Sequence, residues 1–321
     1  MMFMLKSTAW LATLQSSTRS FGSLRPALYA AISSSTAPAL ETNVKSETNR
    51  LEKTLTKFWE KVDVTEDSEG IHVQLDGKTL KTPLGNRLIL PPTKAPLAHL
   101  IAHEWKNLQT LTIKPYTVPL TSVAARAVDL KYVEETKDPE VAAKMGTADD
   151  VKESLLRYLD TDTLLVFSPH HEYQGKLRSA QEEIYRPIIK SMEDYFARHA
   201  GVEKLVFSYL DTEKDGLRGN MQTEETKDAV RKWLKNLSVW ELVALEKATL
   251  TVKSFLAGTA ILRANHPAET ERLSIHDVAK AADLETIFQT ERWGEVEDTH
   301  DVDKVDIVRN LATAALVCHD H

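Results

Sequence analysis

The feature that most constrains the fold of this chain is a change of hydrophobic period around Pro91-Pro92. Upstream, from Phe58, the pattern is that of short strands. Ile71-His-Val-Gln-Leu75 alternates apolar and polar residues at period two. Asp76-Gly77 follows as a hairpin turn, because Gly accepts positive φ and Asp tolerates it. Thr79–Thr82 returns, Pro83–Asn86 turns again, and Arg87–Leu90 supplies another short strand. The expectation is a small antiparallel sheet. Downstream the stripes become helical, with Leu97, Leu100, Ile101, Trp105 and Leu108 on one face of a helix that Thr93 caps and that runs to about Gln109.

Most of the remainder reads as helix. Thr121 opens a helix toward Asp129, and the polar stretch Thr136–Asp150 reads as an interdomain loop. Val151–Leu159, Gln174–His199, Thr223–Leu237, Val239–Ala264, Ser274–Arg292 and Val302–Cys318 read as helices. Pro187 bends the second, and the capping box Ser238-x-x-Glu241 starts the fourth. Asp162–Phe167 is a strand or packed turn, and Val202–Tyr209 a last short strand. The fold class is α+β: a small antiparallel β-rich N-terminal domain with a helix at 55–135, then a larger all-α domain at 150–321.

Met1–Leu40 contains no Asp or Glu but has Lys6, Arg19, Arg25 and twelve Ser or Thr residues. That composition marks a mitochondrial transit peptide, with cleavage expected between Phe21 and Leu40. Residues 41–54 read as a linker. The formal charge of −7 disfavours nucleic acid as a partner, since phosphates demand a positive field. No apolar run approaches the roughly 20 residues a membrane-crossing helix needs. Glycine is scarce, 11 in 321, and neither phosphate-cradling glycine pattern occurs. The single cysteine, Cys318, excludes an intramolecular disulfide.

Several constellations invite chemistry. His99 and His103 share a helix face but lack a third zinc ligand. His170-His171-Glu172 reads as a solvated loop, and His319-Asp320-His321 as a frayed end. The most unusual segment is Glu285–Asp303. Glu285, Gln289 and Trp293 lie along one helical face, Gly294 ends the helix, and a carboxylate cluster with His300 follows. Glu297 and Asp301 around His300 would suit acid–base work, and Asp298, His300 and Asp303 would suit a metal. The simplest reading is that the acids favour the positive N-terminal end of the next helix. No nucleophile–base–orienter set is legible, so no catalytic residue, cofactor, metal or small-molecule substrate is assigned.

The same segment, Leu284-Glu285-x-x-x-Gln289-x-x-x-Trp293-Gly294-x-Val296-Glu297-Asp298-x-His300-Asp301, resembles the C-terminal signature of the Atp-twelve chaperone family, also called ATP synthase assembly factor 2. The resemblance extends to Phe58-Trp59, Val73-x-Leu75-Asp76-Gly77-Lys78-x-x-Lys81-Thr82-Pro83 and Leu88-x-Leu90-Pro91. It continues through Ala102-x-Glu104-Trp105-x-x-x-Gln109, Pro119-Leu120-Thr121, Tyr158-x-x-Thr161-Asp162 and Lys253-Ser254, in order from Phe58 to Cys318. It implies a non-enzymatic chaperone of the mitochondrial matrix whose partner is the unassembled α subunit of the ATP synthase catalytic head. Under it, Glu285, Gln289, Glu297, Asp298, His300 and Asp301 serve partner binding, while Trp105, Trp293 and Gly294 are structural. The competing expectation is a metal-dependent hydrolase built on the C-terminal Asp/His cluster.

Overall fold

The computed structural model describes residues 57–109, 113–216, 218–266, 269, 272–297 and 299–321. The expected transit segment and linker lie outside the described residues, as does Asp298. Strand β1 (Val62–Asp67) pairs antiparallel with β2 (Gly70–Leu75), Val64 opposite Val73. The other edge of β2 takes β3 (Lys78–Thr79) and then β4 (Ile89–Leu90). Asp76 and Gly77 both take positive φ, 47° and 78°, the conformation a two-residue hairpin needs. The Asp76 carboxylate also accepts the backbone N–H groups of Glu60 and Lys61, closing the chain entry onto the turn. Gly70 is required for a different reason: a Cβ there would sit 2.5 Å from the Leu90 carbonyl oxygen.

Helix α1 (Ala95–Asn107) lays Leu97, Ala98, Ile101 and Trp105 into the core. It starts later than expected because Pro92–Lys94 forms a 3-10 turn, and Thr93 makes no side-chain cap. Helix α2 (Pro119–Thr136) likewise begins at proline, where a missing N–H is harmless. Its next donors are met from another helix: Glu104 accepts from the N–H of Leu120 at 2.7 Å and of Thr121 at 3.0 Å. The Thr136–Asp150 stretch is not the loop its polarity suggested. Asp138 caps the short helix α3 (Pro139–Met145), and a capping box of Thr147 and Asp150 opens α4 (Ala148–Asp160). Side-chain caps satisfy the donors that a solvated loop would have left to water.

A 3-10 turn at Thr163–Leu165 leads to β5 (Val166–Phe167), which pairs parallel with β6 (Leu210–Asp211). The strand expected at Val202–Tyr209 is absent for a physical reason: side chains occupy its backbone. The N–H of Phe207 donates to Glu193, that of Ser208 to the Gln222 side chain, and Gln222 Nε2 returns to the Ser208 carbonyl. Between β5 and β6 runs α5 (Lys176–Ala200), with Pro187 inside it. Buried Arg178 on α5 grips buried Asp211 with two hydrogen bonds of 3.1 Å and donates to the Ser168 carbonyl. The short α6 (Thr212–Asp215) and α7 (Glu224–Lys235) follow.

Two expected helices are each broken once. The capping box of Ser238 and Glu241 opens α8 (Val239–Val252), but Lys253 turns left-handed at φ 58° and Ser254 caps a separate α9 (Phe255–Ala264). Gly258 lets the two approach, since a Cβ would meet Thr249 Oγ1 at 2.5 Å. Asp283 separates α10 (Ile275–Ala282) from α11 (Leu284–Trp293), and α12 (His300–Cys318) closes the chain. Helix α8 packs against α2, α4, α9 and α12, so sheet-bearing and helical regions share one core from Trp59 to Cys318. Nor does the final stretch fray as expected. Buried Lys94 donates to the His319 carbonyl and pairs with Asp320, while the His321 N–H donates to the Thr93 carbonyl.

Candidate partner-binding surface

Helix α11 buries only Leu284 fully and rests Phe288 partly on the core. Glu285 and Gln289 lie on its exposed side. Although Glu285 is exposed as a residue, its carboxyl lies 3.5 Å from Nε2 of fully buried Gln181. Packing around that carboxyl pushes its pKa up, and the charge of Glu172 adds to the shift. The helix stops at Gly294, whose φ of 86° and ψ of 159° leave the helical region while its N–H still bonds the Thr290 carbonyl. Glycine is the residue that reaches this conformation without strain.

The turn after Gly294 is fastened to α12. His300 Nδ1 accepts the Val296 N–H at 2.9 Å, and Glu295 pairs with Lys304. Asp301 and Asp303 stand in the first turn of α12, where the helix dipole favours negative charge. The N-cap residue Thr299 makes no side-chain cap bond, so the contribution of Asp301 and Asp303 is one of charge. Glu297 is exposed to solvent.

Trp293 departs from its expected packing role. It is 68% exposed and meets Tyr173 edge-on at 6.1 Å, with Arg292 over its ring. Trp105 is buried, donates from Nε1 to Thr121 Oγ1 at 3.0 Å and lies against Trp59. Around Trp293 the chain exposes Val296, Val302 and Val305, each by more than half. Single exposed apolar residues are ordinary. Four within the 293–305 stretch, interleaved with the carboxylates of Glu295, Glu297, Asp301 and Asp303, make an exposed apolar and acidic stretch.

One part of this surface left no signal in the sequence. Tyr173, Gln174 and Gly175 are all left-handed, with φ of 48°, 57° and 78°. Two consecutive non-glycine residues there are strained. The turn sets the Tyr173 ring between Phe288 and Trp293, with Arg292 over it at 5.5 Å. Neither Tyr nor Gln announces positive φ.

With Nδ1 engaged by Val296, His300 is held as a turn fastener. His99 and His103 are exposed, and His103 contacts Asn107. His170 pairs with Glu213 of α6. The class that fold and surface define is a protein-binding scaffold, in which an apolar and acidic face sits on rigid helices. A model of the ATP12 chaperone protein family matches residues 56–193. Protein ATP12, mitochondrial, of Saccharomyces cerevisiae is 48% identical over 287 residues, covering 86% of this chain and 88% of that protein. Protein atp12, mitochondrial, of Schizosaccharomyces pombe is 33% identical, covering 81% of each. The crystal structure of Atp12 from Paracoccus denitrificans shares the fold, with a TM-score of 0.59 at 24% identity, covering 83% of this chain and 98% of that one. This chain belongs to the ATP12 chaperone family. It is accordingly a chaperone of ATP synthase assembly in mitochondria and not an enzyme, which removes the hydrolase expectation.

Proposed function

We propose that this chaperone acts in the mitochondrial matrix on the unassembled α subunit of the ATP synthase catalytic head, shielding the face that α later offers to β and yielding it when β arrives. An unpaired subunit of an obligate assembly exposes thousands of Å² of partly apolar surface and aggregates. A cover that binds less tightly than the final partner leaves by mass action, with no nucleotide required. Within that reading Glu285, Gln289, Glu297, Asp298, His300 and Asp301 recognise the client, and Trp293 joins them as an apolar anchor. The observation that carries the reading is the exposed run Trp293, Val296, Val302 and Val305 among carboxylates, on helices whose own core is complete.

The deciding experiment is purification of the chain from mitochondria depleted of β. Free α should accumulate with it, and the Glu297→Ala chain should melt normally but suppress α aggregation poorly. Recovery without α would end the proposal.

A further inference from the structure

On the sheet-bearing side a groove of about 560 Å³ runs between the Pro83-Leu84 turn, Trp105, the segment beginning at Ile113, and α2. Its floor is apolar, with Trp105, Val118 and Ala125 buried beneath it. Leu84 and Ile113, 40% and 47% exposed, stand at its wall, and neighbouring Tyr116 is 55% exposed. Exposed Leu, Ile and Tyr gathered around one concavity mark a place that something covers. The volume suits a few side chains of a bound segment.

The charges around it are one-sided. Lys81, Lys114 and Arg126 line the groove. Arg126 is already engaged, held by Glu246 and the Met145 carbonyl. Lys114 lies over the Tyr116 ring at 5.6 Å, and neither it nor Lys81 pairs with a carboxylate among the described residues. Asp129 is the only acid among the described lining residues, and it is buried, accepting Thr82 Oγ1 at 2.6 Å and Asn86 Nδ2 at 2.7 Å. A chain of net charge −7 thus offers here an apolar trough with two cations at its edge that pair with no carboxylate among the described residues.

The geometry points to a second docking site, whose occupant is an apolar stretch of the client polypeptide carrying Asp or Glu residues. This rests on the chaperone reading above and adds to it the sign of the segment bound. The groove is positive where the Trp293–Asp303 face is negative. A client touching both is oriented by its own charge pattern, since like-charge placements are penalised. One face alone would hold a sticky surface in any direction; two of opposite sign hold it in one.

The test uses the full chain carrying photo-reactive benzoylphenylalanine at Leu84 or, separately, at Val302, mixed with purified unassembled α subunit. The Leu84 probe should capture a segment that is apolar and net acidic. Adding Lys81→Glu and Lys114→Glu should cut that capture about tenfold, with capture at Val302 held within about twofold. Both lysines are exposed, and an unchanged melting curve will confirm that the variant folds. Capture at Val302 without capture at Leu84 would overturn the groove while sparing the chaperone reading. So would a captured segment rich in Lys or Arg, or one indifferent to charge reversal. Silence at both positions would defeat both readings.

Discussion

The Lys94 ammonium, 1% exposed, donates to the carbonyl oxygen of His319 at 2.8 Å, joining the entry of α1 to the exit of α12 across 225 residues of chain. Asp320 lies 3.1 Å away and the Trp240 ring faces the same ammonium. A buried cation is tolerable only while such partners remain. Removing residues 319–321 should therefore destabilise the chain by about 1–3 kcal/mol, the cost of leaving a buried donor without its acceptor. Lys94→Met within the truncated chain should recover most of the loss, because the orphaned charge leaves with it. Urea midpoints of the four proteins in that cycle decide the matter, and a truncation that leaves the midpoint unmoved refutes it.

Trp105 makes a similar argument at the other end of α1. Its ring is buried against Trp59, its indole N–H is committed to Thr121, and its carbonyl accepts the indole N–H of Trp59. Adjacent Glu104 caps α2, and burial pushes its carboxyl pKa upward. Trp105→Arg places an unpaired guanidinium in that junction and opens a void beside it. The expected loss exceeds about 4 kcal/mol, enough to unfold a marginal domain. Thermal melting at the parent temperature would contradict this.

Two buried carboxyls give the stability curve opposite slopes. Burial raises Asp162 from 3.8 to about 6, although it accepts backbone N–H groups of Leu164 and Leu256. Between those values the folded chain retains a proton the unfolded chain has released, so this group lowers stability as pH rises from about 4 to about 6, and the penalty is constant above. The Arg178 guanidinium instead holds Asp211 down at about 2. Its contribution is complete above the unfolded value near 4 and is lost as pH falls toward 2. Carbon-13 titration should place the Asp162 carboxyl midpoint near 6. A midpoint below 4 would show that its hydrogen bonds outweigh its burial.

What the sequence conveyed follows from which residues carry local signals. Asp76-Gly77 and the alternation in Ile71–Leu75 specify the hairpin, and Ser238 with Glu241 marks the start of α8, because turns and caps are built by side chains of particular types. The break at Lys253 was hidden: Val239–Ala264 is apolar on nearly every side, so no stripe is interrupted, and the left-handed residue is a lysine. The Val202–Tyr209 segment has strand composition, yet its donors and acceptors go to Glu193 and Gln222, which are distant in sequence. For the candidate surface, Glu285–Asp303 was visible as a motif, whereas its companion turn at Tyr173 depends on strain imposed by tertiary packing.

The exposed apolar residues beside that turn supply the sharpest test of the surface. Trp293, Val302 and Val305 contribute little to the core, being 68%, 55% and 65% exposed. Replacing all three with Ser should change unfolding free energy by no more than about 2 kcal/mol, since the exposed contacts of Trp293 with Tyr173 and Arg292 are all that is lost besides surface. If these side chains anchor the client, the same protein should lose most of its capacity to keep unassembled α in solution, because apolar anchors ringed by polar groups dominate such interfaces. Light scattering of α diluted from denaturant, with and without the variant, measures that capacity directly. A triple variant that protects α as well as its parent places the client contact elsewhere on the molecule, whatever the acidic cluster beside it contributes.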